Sequence, residues 1–139
     1  MSLIFLLLGC ATEDDSSIQL VEASINDLQL ALLNGDVSCR EIVEGYIARI
    51  EAYDQSRGIN AITEINPNAL VRADTIDQAL ATNEPMPELF CAPLLIKDNF
   101  DTADMVTTGG SVALKDSIPP DDAFMVRKLR EAGAIVLAK

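Results

Sequence analysis

The stretch Pro93-Leu94-Leu95-Ile96-Lys97-Asp98-Asn99 (PLLIKDN) decides the fold. An apolar run with no polar alternation leads straight into a lysine. Runs of this kind belong to strands buried on both faces of a parallel sheet, and a strand is predicted over Pro93–Lys97. Ala134-Ile135-Val136-Leu137-Ala138 (AIVLA) repeats the pattern and is again followed by a lysine, Lys139. Between the two runs, Asp121 or Asp122 is placed to cap a helix whose apolar residues are Ala123, Phe124, Val126 and Leu129, and Gly133 closes it. Strand, helix, strand in this order predicts a right-handed parallel crossover. The connection from Asp98 to Pro120 is long and has little periodicity, which in compact domains marks a functional loop.

Upstream, the pattern turns helical. Ser24 with Asp27 and Ser38 with Glu41 read as capping boxes. The first opens a helix with Ile25, Leu28, Leu32 and Leu33 on one face, ended by Asn34-Gly35. The second opens a helix with Ile42, Val43, Tyr46, Ile47 and Ile50 inward, fading near Tyr53. Asn60–Ile65 alternates as a strand does. Asn66-Pro67 then reads as a cap and first position of a third helix, running to about Ala81 with Leu70, Ala73, Ile76 and Leu80 inward. Turn residues fill Asn83–Pro87. Arg127, Lys128, Arg130 and Glu131 read as a solvated helix face. The expected class is α/β: N-terminal helices leading into a partial mixed, largely parallel sheet with helices on both faces. A parallel sheet needs more strands and covering helices than these residues supply, so residues 24–139 are expected to be the N-terminal part of a larger domain.

Composition narrows the chemistry. The chain has 139 residues and a formal net charge of −12, from 22 acidic and 10 basic residues. Binding along a phosphate backbone needs a basic face, so no nucleic-acid partner is expected. There is no histidine, which excludes a Ser-His-Asp triad, a Cys-His pair and a histidine metal ligand within the chain. A general base here is a lysine, a carboxylate, a tyrosine or a cysteine. Cys10, Cys39 and Cys91 are widely spaced and form no CxxC, so no metal or redox cofactor is expected. Cys39 and Cys91 read as small buried hydrophobes.

Leu3–Leu8 is apolar, and Leu7-Leu8-Gly9-Cys10 resembles the bacterial lipobox, after which the cysteine is lipidated and becomes the mature N-terminus. The run is too short to span a bilayer, which takes ~20 apolar residues. The expected organisation is a signal-like segment over residues 1–10, with Cys10 as lipid attachment site, and a polar tether over 11–23. The implied location is periplasmic, or membrane-anchored as a lipoprotein; it is cytoplasmic if the segment is not a signal.

The C-terminal third closely resembles the amidase signature family. Ile96-Lys97-Asp98 matches its strand ending in Lys-Asp, Thr107-Thr108-Gly109-Gly110-Ser111 its Thr-Thr segment, Pro120-Asp121-Asp122-Ala123 its helix start, and Leu129–Ala134 its Leu-Arg-x-Ala-Gly-Ala stretch. The chain departs from the family where Cys91-Ala92-Pro93 stands for Gly-x-Pro, and where Ala138 stands for the glycine before the second lysine. Within the family the chain looks most like bacterial peptide-amidase-type members. The resemblance implies hydrolysis of a carboxamide, in a small-molecule or peptide substrate, by a Ser–cis-Ser–Lys triad without metal or organic cofactor. It makes Lys97 the triad lysine and places both serines and the oxyanion hole downstream of Lys139, so these residues by themselves are expected to be inactive. Ser111 is not the nucleophile on this reading, because GGSVA lacks the second glycine of a G-x-S-x-G elbow. Two other readings stand beside it: the A subunit of a glutamyl-tRNA(Gln) amidotransferase, and a non-catalytic remnant.

A serine becomes nucleophilic when a base takes its proton. A lysine normally titrating near ~10.4 must fall to ~7–8 to serve near neutrality. Burial moves it that way, so Lys97 is expected to be held against an apolar wall. Asp98 would oppose this if it faced the amine. Strand alternation turns it to the opposite side.

Overall fold

Serine side chains start the first two helices. In the computed structural model, which describes residues 19–139, Ser24 and Ser38 each accept a hydrogen bond from the backbone N–H three residues on, while Asp27 and Glu41 reach back to the serine N–H. Both capping boxes are therefore complete. α1 (Ile25–Asn34) ends at Gly35, whose φ of 78° is the left-handed value glycine adopts cheaply. Leu28 and Leu32 are buried, whereas Ile25 and Leu33 are exposed, so the apolar stripe read from the sequence is wider than the buried one. α2 (Cys39–Ile50) runs into a single π-helical turn at Glu51–Gln55. The signal-like segment, Cys10 and the tether as far as residue 18 lie outside the described residues.

α3 (Ala69–Ala81) begins later than Asn66-Pro67 suggests. Asn66 is buried and spends its amide elsewhere: Nδ2 donates to the Val136 carbonyl at 2.8 Å and to Asp104 at 3.0 Å, and Oδ1 accepts from Asn68 N–H at 2.8 Å. It ties α3 to the sheet instead of capping it. Asp77, on α3, caps α2, accepting from Cys39 N–H at 2.7 Å and Arg40 N–H at 3.0 Å.

The predicted parallel pairing of the two apolar runs is present. β1 (Pro93–Leu95) pairs in parallel with β2 (Ile135–Ala138), Pro93 opposite Ile135 and Leu94 opposite Val136, with an irregularity between Leu94 and Leu95. β2 is buried throughout. Ile135 and Leu137 pack with α1–α3, and Val136 packs with Ile96, Met105 and Val126 of α4 (Phe124–Glu131). Helices thus cover both faces of β2. β1 is shorter than predicted, and Leu95 is exposed.

Three further expectations are corrected. Asn60–Ile65 is not a strand; it joins the sheet by one antiparallel bridge, Ile65 to Ala138. The Asp54 carboxylate takes the Ala61 and Ile62 N–H groups at 2.7 and 3.3 Å, and Asn60 is left-handed at φ 51°, so the early residues cannot form a ladder. Neither Asp121 nor Asp122 caps α4. Ala123 occupies that position with no side-chain bond, and Asp122 accepts from Ala103 N–H at 2.9 Å. Arg130 does not join a solvated face, because its guanidinium lies 2.6 Å from Asp104 and 3.1 Å from Asp122 with only 28 % of the side chain exposed.

The cysteines also differ from expectation. Cys39, at the start of α2, and Cys91, just before β1, form a disulfide with Cα atoms 5.8 Å apart. Both are buried, and Cys91 holds a left-handed φ of 57°. The bond crosses 52 residues of sequence, a pairing that only the packing of α2 against the β1 approach brings about.

Candidate active site

The parallel strands deliver two lysines to one end of the sheet. The ladder continues one step past β1, with Ile96 N–H donating to the Ala138 carbonyl at 2.9 Å. Ile96 is buried, and the chain then turns, Phe100 N–H bonding the Lys97 carbonyl at 2.9 Å. Lys97 is exposed at this turn. Apolar side chains do stand beside it, with Leu95, Ile96, Phe100, Met125 and Leu129 lining an open cavity of about 350 Å³ that Lys97 borders, but they leave Lys97 exposed. The buried lysine is instead Lys139, the residue after β2, whose side chain is 0 % exposed.

Lys139 Nζ donates to the Val106 carbonyl at 2.9 Å and to Thr107 Oγ1 at 2.6 Å, and lies 3.6 Å from Asp98 Oδ1. The first two are hydrogen bonds and the third is an ion pair longer than a hydrogen bond. Asp98 is turned to the same loop. Its Oδ1 accepts from Thr108 N–H at 3.1 Å, and its Oδ2 accepts from the Thr108 hydroxyl. Burial pushes the Asp98 carboxyl up, but the Thr108 hydroxyl and amide, the Lys139 charge and the Gly110 N–H outweigh it, so the group is held below the usual carboxylate value. These partners hold the Asp98 carboxylate against the Thr108 loop and Lys139.

Thr63, Lys97, Asp98, Gly109, Gly110 and Lys139 line a cavity of about 340 Å³. Gly109 and Gly110 have φ of 55° and 80°, a conformation that glycine adopts without a Cβ penalty and that folds the Thr107–Gly110 segment back over Asp98. Gly109 N–H bonds the Asp98 carbonyl at 3.3 Å. The segment over Thr63 and Glu64 closes another side: Thr63 N–H donates to the Lys139 carbonyl at 2.7 Å, and Glu64 accepts from Val106 N–H at 3.1 Å. Ser111 is exposed and is not among the residues lining this cavity. A larger cavity of about 500 Å³ lies against β1 and the first two helices, lined largely by apolar side chains such as Leu28, Tyr46, Ile50 and Leu95. No lysine among the described residues lines it.

Sequence reasoning singled out Lys97 and quoted Thr107 and Lys139 only as parts of a motif and a strand end; the fold brings Thr107, Asp98 and Lys139 together. The available signal was symmetry: each buried-type strand is followed by a lysine.

The chain is similar to several known proteins. It is 38 % identical over 117 residues to the A subunit of a glutamyl-tRNA(Gln) amidotransferase from Synechococcus sp. (strain WH7803), covering 84 % of this chain and 24 % of that protein. It is 35 % identical over 127 residues to a probable amidase of Arabidopsis thaliana, covering 89 % of this chain and 24 % of the relative. Among solved structures, native peptide amidase from Stenotrophomonas maltophilia superposes with a TM-score of 0.80 at 39 % identity, over 85 % of this chain and 24 % of that one. The chain thus spans about a quarter of the length of these relatives. The Amidase family model matches residues 41–139, and by that match the chain belongs to the amidase family.

Proposed function

We propose that this chain is part of an enzyme that hydrolyses a carboxamide, with Lys97 as the base of a Ser–cis-Ser–Lys triad whose serines lie beyond residue 139. The observation that carries this reading is the position of Lys97, directly past β1 and lining a cavity with two left-handed glycines and a carboxylate already engaged by other partners. In the reaction the bridging serine passes the nucleophile's proton to the neutral Lys97 amine. The nucleophile's oxygen bonds the carbonyl carbon, the C–N bond breaks, and the nitrogen leaves with the proton. Water then releases the carboxylate. Exposed Lys97 must lose its water to act as base, so the downstream part of the protein supplies the covering wall in this reading. The test uses the complete gene product and a fluorophosphonate, whose phosphorus bonds an activated serine as fluoride leaves. Lys97→Ala is expected to abolish labelling while leaving the unfolding transition near the parent's; labelling at the parent rate would refute the role.

The amidotransferase reading draws on the relatives named above, and one observation weighs against it. Disulfides persist in oxidising compartments and are rare in the cytosol, where the resemblance would place such a protein. Cys39–Cys91 therefore supports export, in line with the lipobox-like Leu7–Cys10 segment. Intact mass of the protein from its own host, before and after reduction and alkylation, checks this. Two free thiols at Cys39 and Cys91 in the unreduced sample would count for the cytosolic reading.

A further inference from the structure

The difficulty in using Lys97 as a base is its neighbour. A carboxylate beside an amine favours the ammonium form, and Asp98 adjoins Lys97 in the chain. The structure contains a counterweight. Lys139 is buried and lies 3.6 Å from Asp98 Oδ1, and its other donors are held by the Val106 carbonyl and Thr107 Oγ1. Both Asp98 oxygens are engaged, by Lys139 and by the Thr108 amide and hydroxyl. We propose that Lys139 is a positioning residue for the reaction: it takes up the charge of Asp98 and fastens Asp98 to the Thr107–Gly110 loop, so that Asp98 does not hold the Lys97 amine protonated. This inference rests on the reading of Lys97 as base.

The charge count around the cavity supports it. Its ionisable lining groups are Lys97, Asp98 and Lys139. The segment packed against Lys139 adds Glu64, whose carboxylate is spent on Val106 N–H. Asp104, on the same long loop, is taken up by Arg130 and Asn66. With Lys139 charged and Asp98 ionised, the pair carries no net charge toward Lys97. Without Lys139, the Asp98 carboxylate keeps its Thr108 and Gly110 contacts, but Lys97 is the one cation among the described residues left lining the cavity with it. Without Asp98, a cation is left there instead. The two deletions therefore push the Lys97 proton in opposite directions, a signature that a merely structural role does not produce.

The experiment follows the rate of fluorophosphonate labelling against pH in the complete gene product. Lys139→Met is expected to move the acid limb to higher pH by about one unit, a loss of about fivefold at the parent's midpoint that approaches tenfold below it and is recovered in alkali. Asp98→Asn is expected to move the limb to lower pH. Lys139→Met with Asp98→Asn together should return it to near the parent's position, and Lys139→Arg should keep it there. If Lys139→Met does not fold by itself, the double variant, which leaves neither charge without its partner, decides the matter: a limb away from the parent's position overturns the inference. Limbs that stay put while rates fall uniformly would overturn the inference. Lys97→Ala separates the two levels: loss of labelling there with unmoved limbs elsewhere refutes this inference alone, whereas labelling that survives Lys97→Ala refutes the triad reading itself.

Discussion

Removing the Cys39–Cys91 bond gives the sharpest prediction about stability. The bond joins residues 52 apart. In the chain-entropy treatment a loop of that size restricts the unfolded chain by about 14 cal/mol/K, or about 4 kcal/mol at room temperature. That is close to three powers of ten in a folding equilibrium. Cys39→Ala with Cys91→Ala is expected to lose most of this, and the remaining residue 91 must still hold the left-handed φ of 57°. Cys39→Ala with Cys91→Gly loses less, by about 1 kcal/mol, because glycine adopts that conformation without the Cβ penalty. The assay is urea unfolding of the full-length protein, oxidised and reduced, beside the two double variants. Equal midpoints for the oxidised and reduced protein would refute the reasoning. So would a glycine variant less stable than its alanine counterpart, since the order of the two rests on backbone conformation alone.

Gly133→Ala is expected to cost about 2 kcal/mol or more, because its φ is 94° and an added Cβ would meet Pro87 Cγ at 2.5 Å and the Phe90 backbone at 3.0 Å; a change in unfolding free energy within about 0.5 kcal/mol of the parent would contradict this tight turn into β2. Stability should also fall in acid. Asp27, Glu41, Asp98 and Glu131 are all held below their ordinary values, Asp27 and Glu41 chiefly by their capping serines and Glu131 chiefly by Lys128; for Asp98, burial works the other way and the Thr108, Lys139 and Gly110 contacts outweigh it. Carboxylates depressed in the folded state stabilise it above the unfolded value and lose that effect as pH drops through and below the usual carboxylate range. Denaturant midpoints measured from about pH 6 down to about pH 2 should therefore decline, and a flat or rising profile would contradict those contacts.

The sequence by itself determined the elements whose causes are local. Ser24 with Asp27 and Ser38 with Glu41 are three residues apart, and each pair closes its helix start within one turn. Gly35 and Gly133 end helices because their own backbones take positive φ. The apolar runs around Leu94 and Val136 are continuous because covering from both sides removes any need for alternation, and that was enough to read the parallel crossover and place Lys97 at its end. Tertiary structure decided whatever depends on a partner distant in the chain. Asn66 gave up its capping role for Val136 and Asp104, Asp54 consumed the amides that Asn60–Ile65 needed for a ladder, and Arg130 left the solvated face for two aspartates. The same holds at the site. Which lysine is buried could not be read from two similar strand ends, because burial depends on what packs over each: the Thr107 loop and the Thr63 segment close over Lys139, while Lys97 borders open cavities and stays exposed. A polar group's role is fixed by the nearest groups that can satisfy it, and for these residues those groups arrive only when the chain has folded.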